Sequence, residues 1–374
     1  MRSEQAVLTP KSQQNQELFL PEHGGAIKAA SRHFNIPASE WLDLSTGIAA
    51  QSWPVPEIPA EYFNRLPEDS AELNLAIATY YGQKHYLAAA GSQTFIQHLP
   101  TAFKNYLSEK KELTENSAPL KVALISPSYS EHFNAWNFAG YQVERFDSIQ
   151  TLQTAFITVD FKAVIIVNPG NPSGQLLSKA ELLELREILT QQNTWLIIDE
   201  AFIDATPSAS LLTQSNLSNL LVLRSVGKFF GLPGIRAGFL FGDPQFLPHI
   251  QPYIGPWSLS GPAQFICEQA LLDTPWQQKQ IQRLDSNNQK LTELLQQLNL
   301  QNVTLNTLTL NTQCKMFVSI TSADDSQLTS IYHQACLNGL LLRLFPKEKL
   351  LRIGHPSTDQ EWDRLDSFLS SINT

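Results

Sequence analysis

Cysteine is scarce, and the three that occur among 374 residues, Cys267, Cys314 and Cys336, are far apart. Such spacing builds neither a disulfide framework nor a zinc site, so they read as reduced thiols of a cytoplasmic protein, with no metal expected. Positive charge is also short: 26 Lys and Arg face 35 Asp and Glu, a formal net charge of -9. Without a dense basic run the chain would repel polyanions, which excludes nucleic acid as an expected partner. No apolar run approaches the ~18 residues of a membrane span. The start, Met1-Arg2-Ser3-Glu4-Gln5, leads into polar sequence rather than the apolar stretch of an export signal. The expectation is a protein with no membrane partner that stays in the cell. No internal repeat is seen.

What is present is apolar, at 43% of residues. Single cores stop growing near ~250–300 residues, so two packed domains are expected. Apolar runs of strand length recur at 86–90, 121–126, 163–167, 195–199, 219–225 and 237–241, several separated by helical spacing. This alternation predicts an α/β class with a parallel, buried sheet between helices. Ser178-Lys179-Ala180-Glu181 reads as a capping box opening the crossover helix between the runs at 163–167 and 195–199. After Pro256 the pattern turns helical from Pro262 to about Leu300. Short strands near 316–320, 340–344 and 350–354 then alternate with helices, and Thr358 and Glu361 form a second capping box. The reading is a large domain over 50–255 and a smaller α+β domain from 21–49 and 256–374. Residues 1–20 and 108–118 are expected to be mobile surface.

Ligands of an open α/β sheet bind beyond the carboxyl ends of its strands, and three chemically capable residues fall there. Asp199 ends the run at 195–199, Lys228 follows the run at 220–227, and Asn171 sits in Asn168-Pro169-Gly170-Asn171-Pro172-Ser173-Gly174. A carboxylate and a lysine so placed suit pyridoxal phosphate. Lys228, with apolar neighbours that depress its pKa, would take the cofactor aldehyde. Asp199 would keep the pyridine nitrogen protonated, so that the ring draws electrons from the substrate α-carbon. Asn171 can donate to the phenolic oxygen from a loop tightened by proline and glycine. Ser225 and Arg236 suit the cofactor phosphate, and Gly91-Ser92-Gln93 would add amides at a helix N-terminus. Tyr129, after the turn Ser126-Pro127-Ser128, is placed to stack on the ring. Taken singly, each has a plainer reading: a solvated lysine, a helix-capping carboxylate, an ordinary turn, a core tyrosine.

Asn171, Asp199, Ser225, Lys228 and Arg236 together resemble the fold-type I pyridoxal-phosphate enzymes of the class I and II aminotransferase superfamily, from about His23 to Phe368. The resemblance implies a mostly parallel seven-stranded sheet, a small domain built from both chain ends, and a homodimer with active sites at its interface. It also implies that Arg352 binds the substrate carboxylate. Arg343 is the candidate for a second substrate anion, with His23 and Asn171 assisting. Four segments narrow the resemblance to the threonine-phosphate decarboxylases of cobalamin biosynthesis, which are similar to histidinol-phosphate aminotransferases: His23-Gly24-Gly25, Trp41 to Ile48, Asp199-Glu200-Ala201-Phe202, and Gly255 to Pro262. The implied activity is decarboxylation of a phosphorylated amino acid, L-threonine O-3-phosphate. Aminotransfer of the histidinol-phosphate type is the alternative, and cofactor binding without catalysis the other class. Two positions depart from the pattern. Phe202 stands where aminotransferase relatives usually carry tyrosine, leaving Asn171 alone on the phenolic oxygen. Leu66-Pro67-Glu68 replaces a Tyr-Pro-Asp segment whose tyrosine reaches the neighbouring subunit's cofactor phosphate, with Tyr62 the nearby substitute.

Overall fold

Strands form at the apolar runs in the computed structural model, which describes residues 18–68, 70–111, 119–214, 216–301 and 308–372. They are β1 (Tyr86–Ala89), β2 (Lys121–Ile125), β3 (Gln142–Phe146), β4 (Phe161–Val167), β5 (Trp195–Asp199), β6 (Leu220–Ser225) and β7 (Gly238–Gly242). All seven make one sheet in the order β1-β7-β6-β5-β4-β2-β3. One strand is reversed, as the mostly parallel sheet implied by the resemblance allows: β7 runs antiparallel to both its neighbours. The link from β6 to β7 holds only the short helix Val226–Phe229 and a 3₁₀ turn. A parallel return needs a longer crossover. β3 was not expected; Gln-Val-Glu-Arg-Phe is a polar edge strand whose residues are only partly buried.

Alternation along β4 explains why helices cover both faces. Ala163 and Ile165 join Phe95, Leu99 and Phe103 of the helix Ser92–Glu109 in one core. Val164 and Ile166 join Leu182, Leu185 and Leu189 of the helix Lys179–Gln191 in another. Each fully buried side chain of this kind contributes ~1.5–3 kcal/mol. The second helix starts at the expected capping box: Ser178 N–H donates to Glu181 Oε2 at 2.8 Å, and Glu181 N–H to Ser178 Oγ at 3.2 Å.

A third core gathers Trp41, Leu42 and Leu44 with Leu328, Ile331, Leu351, Ile353, Trp362 and Leu365. Its four-stranded antiparallel sheet runs Arg343–Phe345, Leu350–Gly354, Phe317–Thr321, Thr309–Asn311. The strand expected at 340–344 is broken. Leu340–Leu341 pairs in parallel with Leu42–Asp43, while Arg343–Phe345 pairs with Leu350–Gly354. The helical stretch expected from Pro262 to about Leu300 consists of two helices, Gly261–Ala270 and Thr274–Gln301. Pro275 has no N–H to continue the first, and Asp273 Oδ1 accepts from Trp276 N–H at 3.1 Å where the second begins. The Thr358–Glu361 capping box opens the helix Asp359–Ile372. Of the segments expected to be mobile, 1–17 and 112–118 lie outside the described residues, and Ser108 and Glu109 belong to a helix. Among the described residues, no helix is long and apolar enough to cross a membrane.

Candidate active site

Six strands point the same way, so the carboxyl ends of β1, β2, β4, β5 and β6 meet the start of antiparallel β7 along one edge of the sheet. A cavity of about 750 Å³ opens there. Its walls include Ser92, Gln93, Tyr129, Asn171, Asp199, Ser225, Lys228 and Arg236 from the large sheet and its loops. Arg343 and Arg352 come from the small sheet, and His23 from the N-terminal segment. Gly91 is the one expected site residue outside the wall. It lies against Arg236, where a Cβ would stand 2.5 Å from Nη2. Its φ of 84° and its bare Cα let the guanidinium settle on the backbone that opens the helix Ser92–Glu109. Arg236 Nη2 donates to the Ala90 carbonyl at 3.3 Å. Helix-start amides and a guanidinium side by side form an anion cradle.

Lys228 and Asp199 share this cavity. Burial pushes the Lys228 amine down to about 8; Arg352 and Arg236 push the same way and Asp199 opposes them. The Nζ atom lies 5.3 Å from the centre of the Phe202 ring. Asp199 is buried, with Oδ1 accepting the Ala201 N–H at 3.0 Å and Oδ2 lying 2.9 Å from His132 Nε2. His132 is itself buried, and its Nδ1 has no hydrogen-bond partner among the described residues. The Nε2 proton therefore points at the carboxylate and fixes it in place. Sequence reasoning missed His132; the available signal was its position one helical turn after Tyr129, on the helix Ser130–Phe138.

Tyr129 donates to Gln93 Oε1 at 3.2 Å. Burial pushes its phenol up to about 12, with Glu131 and Asp199 adding to the rise and Arg236 opposing it, so the ring is neutral at physiological pH. Arg352 Nη1 donates to Asn171 Oδ1 at 2.5 Å, and Nη2 to the Ser45 carbonyl. That contact orients the Asn171 amide, leaving its NH₂ end for another acceptor. Burial, then Arg343, push Arg352 down to about 10. Arg343 is not a free arm: it donates to the carbonyls of Pro21 and Glu22 and ties the segment before His23 to the small sheet. Ligand atoms of His23, Glu22 and Glu131 lie within 4.8 Å of one another. Tyr62 packs on Phe265 of its own chain, ring centres 4.7 Å apart.

An amine with a depressed pKa, a braced carboxylate, an orienting amide, an aromatic ring and an anion cradle around one cavity fit the functional groups of a phosphorylated pyridine aldehyde. The pattern of the family described as aminotransferase class I and II matches residues 60–361. The threonine-phosphate decarboxylase of Pseudomonas aeruginosa is 36% identical over 93% of this chain and 97% of its own. Among solved structures, the L-threonine-O-3-phosphate decarboxylase of Porphyromonas gingivalis superposes with a TM-score of 0.67 at 17% identity, covering 88% of this chain and 98% of that one. The histidinol-phosphate aminotransferase of Sinorhizobium meliloti, in complex with pyridoxal-5'-phosphate, gives 0.72 at 18% identity, covering 94% and 96%.

Proposed function

The chain belongs to the class I and II aminotransferase family, whose cofactor is pyridoxal 5'-phosphate, and we propose that it decarboxylates L-threonine O-3-phosphate to (R)-1-amino-2-propanol O-2-phosphate in cobalamin biosynthesis. The 36% identity to a threonine-phosphate decarboxylase supports this reading, but the observation that carries it is a pair of arginines. Arg343 and Arg352 are register partners on adjacent antiparallel strands, so both side chains leave the same face of the small sheet. Both line the cavity, and neither has an ion pair with a carboxylate among the described residues. Two guanidiniums so placed match a substrate that brings a carboxylate and a phosphate.

When bound, the cofactor supplies an aldehyde for the substrate amine and a ring that draws electrons from the α-carbon. In this assignment Asp199, braced by His132, would hold the ring nitrogen, and Tyr129 would cover the ring face. Ser92, Gln93, Ser225 and Arg236, with the backbone at Gly91, hold its phosphate, and Asn171 takes the phenolic oxygen. Lys228 Nζ would be the group that holds the aldehyde; with its pKa near 8 a useful fraction is the free amine near neutrality. Arg352 and Arg343, with His23 and Asn171 assisting, would anchor the substrate's two anions and so orient the bond to its carboxylate for cleavage. That orientation selects carbon dioxide loss over proton loss. Lys228 Nζ, released and protonated, would be the group placed to give a proton to the α-carbon.

The same reading assigns residues 50–255 to a large cofactor domain and 21–49 with 256–374 to a small one. It places the protein in the cytoplasm as a homodimer. Phe63, Leu66 and Trp257 are 64%, 63% and 59% exposed, and the helix Glu61–Asn64 packs beside Gly261–Ala270. A second copy would cover that apolar surface. Purified holoenzyme given O-phospho-L-threonine alone should release carbon dioxide with Lys228→Ala inactive. Amino transfer from glutamate to an imidazolyl keto phosphate, without carbon dioxide, would establish the aminotransferase reading instead.

A further inference from the structure

We infer that Phe317 and Phe345 are positioning residues that hold Arg352 and Arg343 side by side as one anion receptor. The inference rests on the proposal that these arginines meet the substrate's anions.

Two like charges directly opposite each other on antiparallel strands repel, and no carboxylate among the described residues forms an ion pair with either. Aromatic rings stand where the counter-ions are missing. The Arg352 guanidinium lies 5.0 Å from the ring centre of Phe317 and 5.8 Å from that of Phe345, while Arg343 lies 4.9 Å from Phe345. Phe345 follows Arg343 by two positions on one strand and therefore shares its face. Phe317 is fixed in turn. Phe202 meets it edge-on, with ring centres 5.4 Å apart at 89°.

Gly47 closes the assembly from behind. A Cβ there would stand 3.1 Å from Phe317 Cδ1, 3.5 Å from Arg352 Cζ and 3.5 Å from Phe202 Cε1, and the residue has a φ of 63°. The positive φ and the close approach to Phe317 are what favour glycine there.

The choice of ring over carboxylate has a chemical consequence. A carboxylate would take the guanidinium's in-plane N–H donors and compete with the substrate for them. An aromatic face attracts the cation through its π-cloud and takes none of those donors itself. Arg352 commits one N–H to Asn171 and one to Ser45, and its Nε has no partner among the described residues.

Phe317→Leu and Phe345→Leu remove the ring and keep an apolar side chain, whereas Phe317→Tyr keeps the ring. Holoenzyme of each is titrated calorimetrically with inorganic phosphate and with O-phospho-L-threonine, and its KM, kcat, cofactor absorption spectrum and unfolding midpoint are measured. Each leucine variant should bind both ligands roughly 3- to 30-fold more weakly and raise KM by a like factor, with kcat within about threefold and the spectrum unchanged. Phe317→Tyr should behave as the parent. Unchanged phosphate affinity in both leucine variants overturns the inference. So does equal loss in Phe317→Tyr, or a parent enzyme that fails to bind phosphate. Normal phosphate binding without carbon dioxide release would instead sink the proposed decarboxylation and leave the receptor standing.

Discussion

Arg224 and Arg352 are each 4% exposed, yet their surroundings are opposite. Arg224, on β6, donates to Glu200 Oε2 at 3.1 Å and to Asp204 Oδ1, with the Tyr81 ring centre 4.7 Å away. Burial lowers its pKa, but Asp204 and Glu200 more than reverse this and hold it above the ordinary arginine value. Arg352 has neutral carbonyl oxygens and two ring faces instead, and burial with Arg343 pushes it down to about 10. A buried arginine satisfied by carboxylates fastens the fold together. One given only neutral partners keeps an unmet demand for an anion, and it stands in the wall of the cavity.

The largest effect should come from the fastening arginine. Arg224→Met leaves Glu200 and Asp204 buried without their cation and should lower unfolding stability by about 3–5 kcal/mol. In the fraction that folds, kcat/KM should stay within about tenfold of the parent. Urea unfolding and steady-state kinetics test both, and a stable Arg224→Met protein would break the contrast. Arg352→Met should do the reverse, cutting kcat/KM roughly 10²- to 10³-fold while leaving stability equal or higher. A loss of stability matching that of Arg224→Met would put both arginines in one class.

Much of this contrast was hidden in the sequence, for physical reasons. Asp199, Asn171 and Lys228 were legible because each follows an apolar run, and strand ends are where a parallel sheet gathers its ligands. The Ser178–Glu181 crossover was legible because a capping box is a local signal. Arg224 gave no such sign: it sits inside an apolar run, and its carboxylates are 24 and 20 positions away. The aromatic setting of Arg352 joins residues 47, 202, 317 and 345, which only tertiary packing brings together. β3 escaped because an edge strand can stay polar, and the break at 340–344 because the partner of Leu340–Leu341 is a segment almost 300 residues earlier. The tie from Arg343 to the N-terminal segment gave no sign because backbone carbonyls, its partners, have no signature in a sequence.

A third buried basic group sharpens the comparison. His355 is 5% exposed, and neither ring nitrogen has a hydrogen-bond partner among the described residues. Burial pushes it down to about 4. Unfolded, it takes a proton near pH ~6.5, so between the two values the unfolded state binds more protons and stability is lost as the pH is lowered. The loss should reach about 3 kcal/mol by pH ~4 and be absent above pH ~6.5. Urea unfolding across that range should show this slope in the parent and not in His355→Leu; the same slope in both would contradict it.

The smallest effect links Arg352 to the Lys228 amine. Uptake of pyridoxal phosphate by the apoprotein should rise with pH around a midpoint near 8, the value for Lys228. Because the unpaired charge of Arg352 helps depress that amine, Arg352→Met should move the midpoint up by less than about one unit. Arg224→Met should leave it in place. Equal shifts in the two variants would mean that Arg352 is not the source of the field at Lys228.

The proposed function requires that one amine, Lys228 Nζ, holds the cofactor. Borohydride reduction of the holoenzyme, followed by proteolysis and mass spectrometry, locates the pyridoxyl group directly. The account predicts it on the peptide containing Lys228; a label on another lysine, or on none, would contradict it.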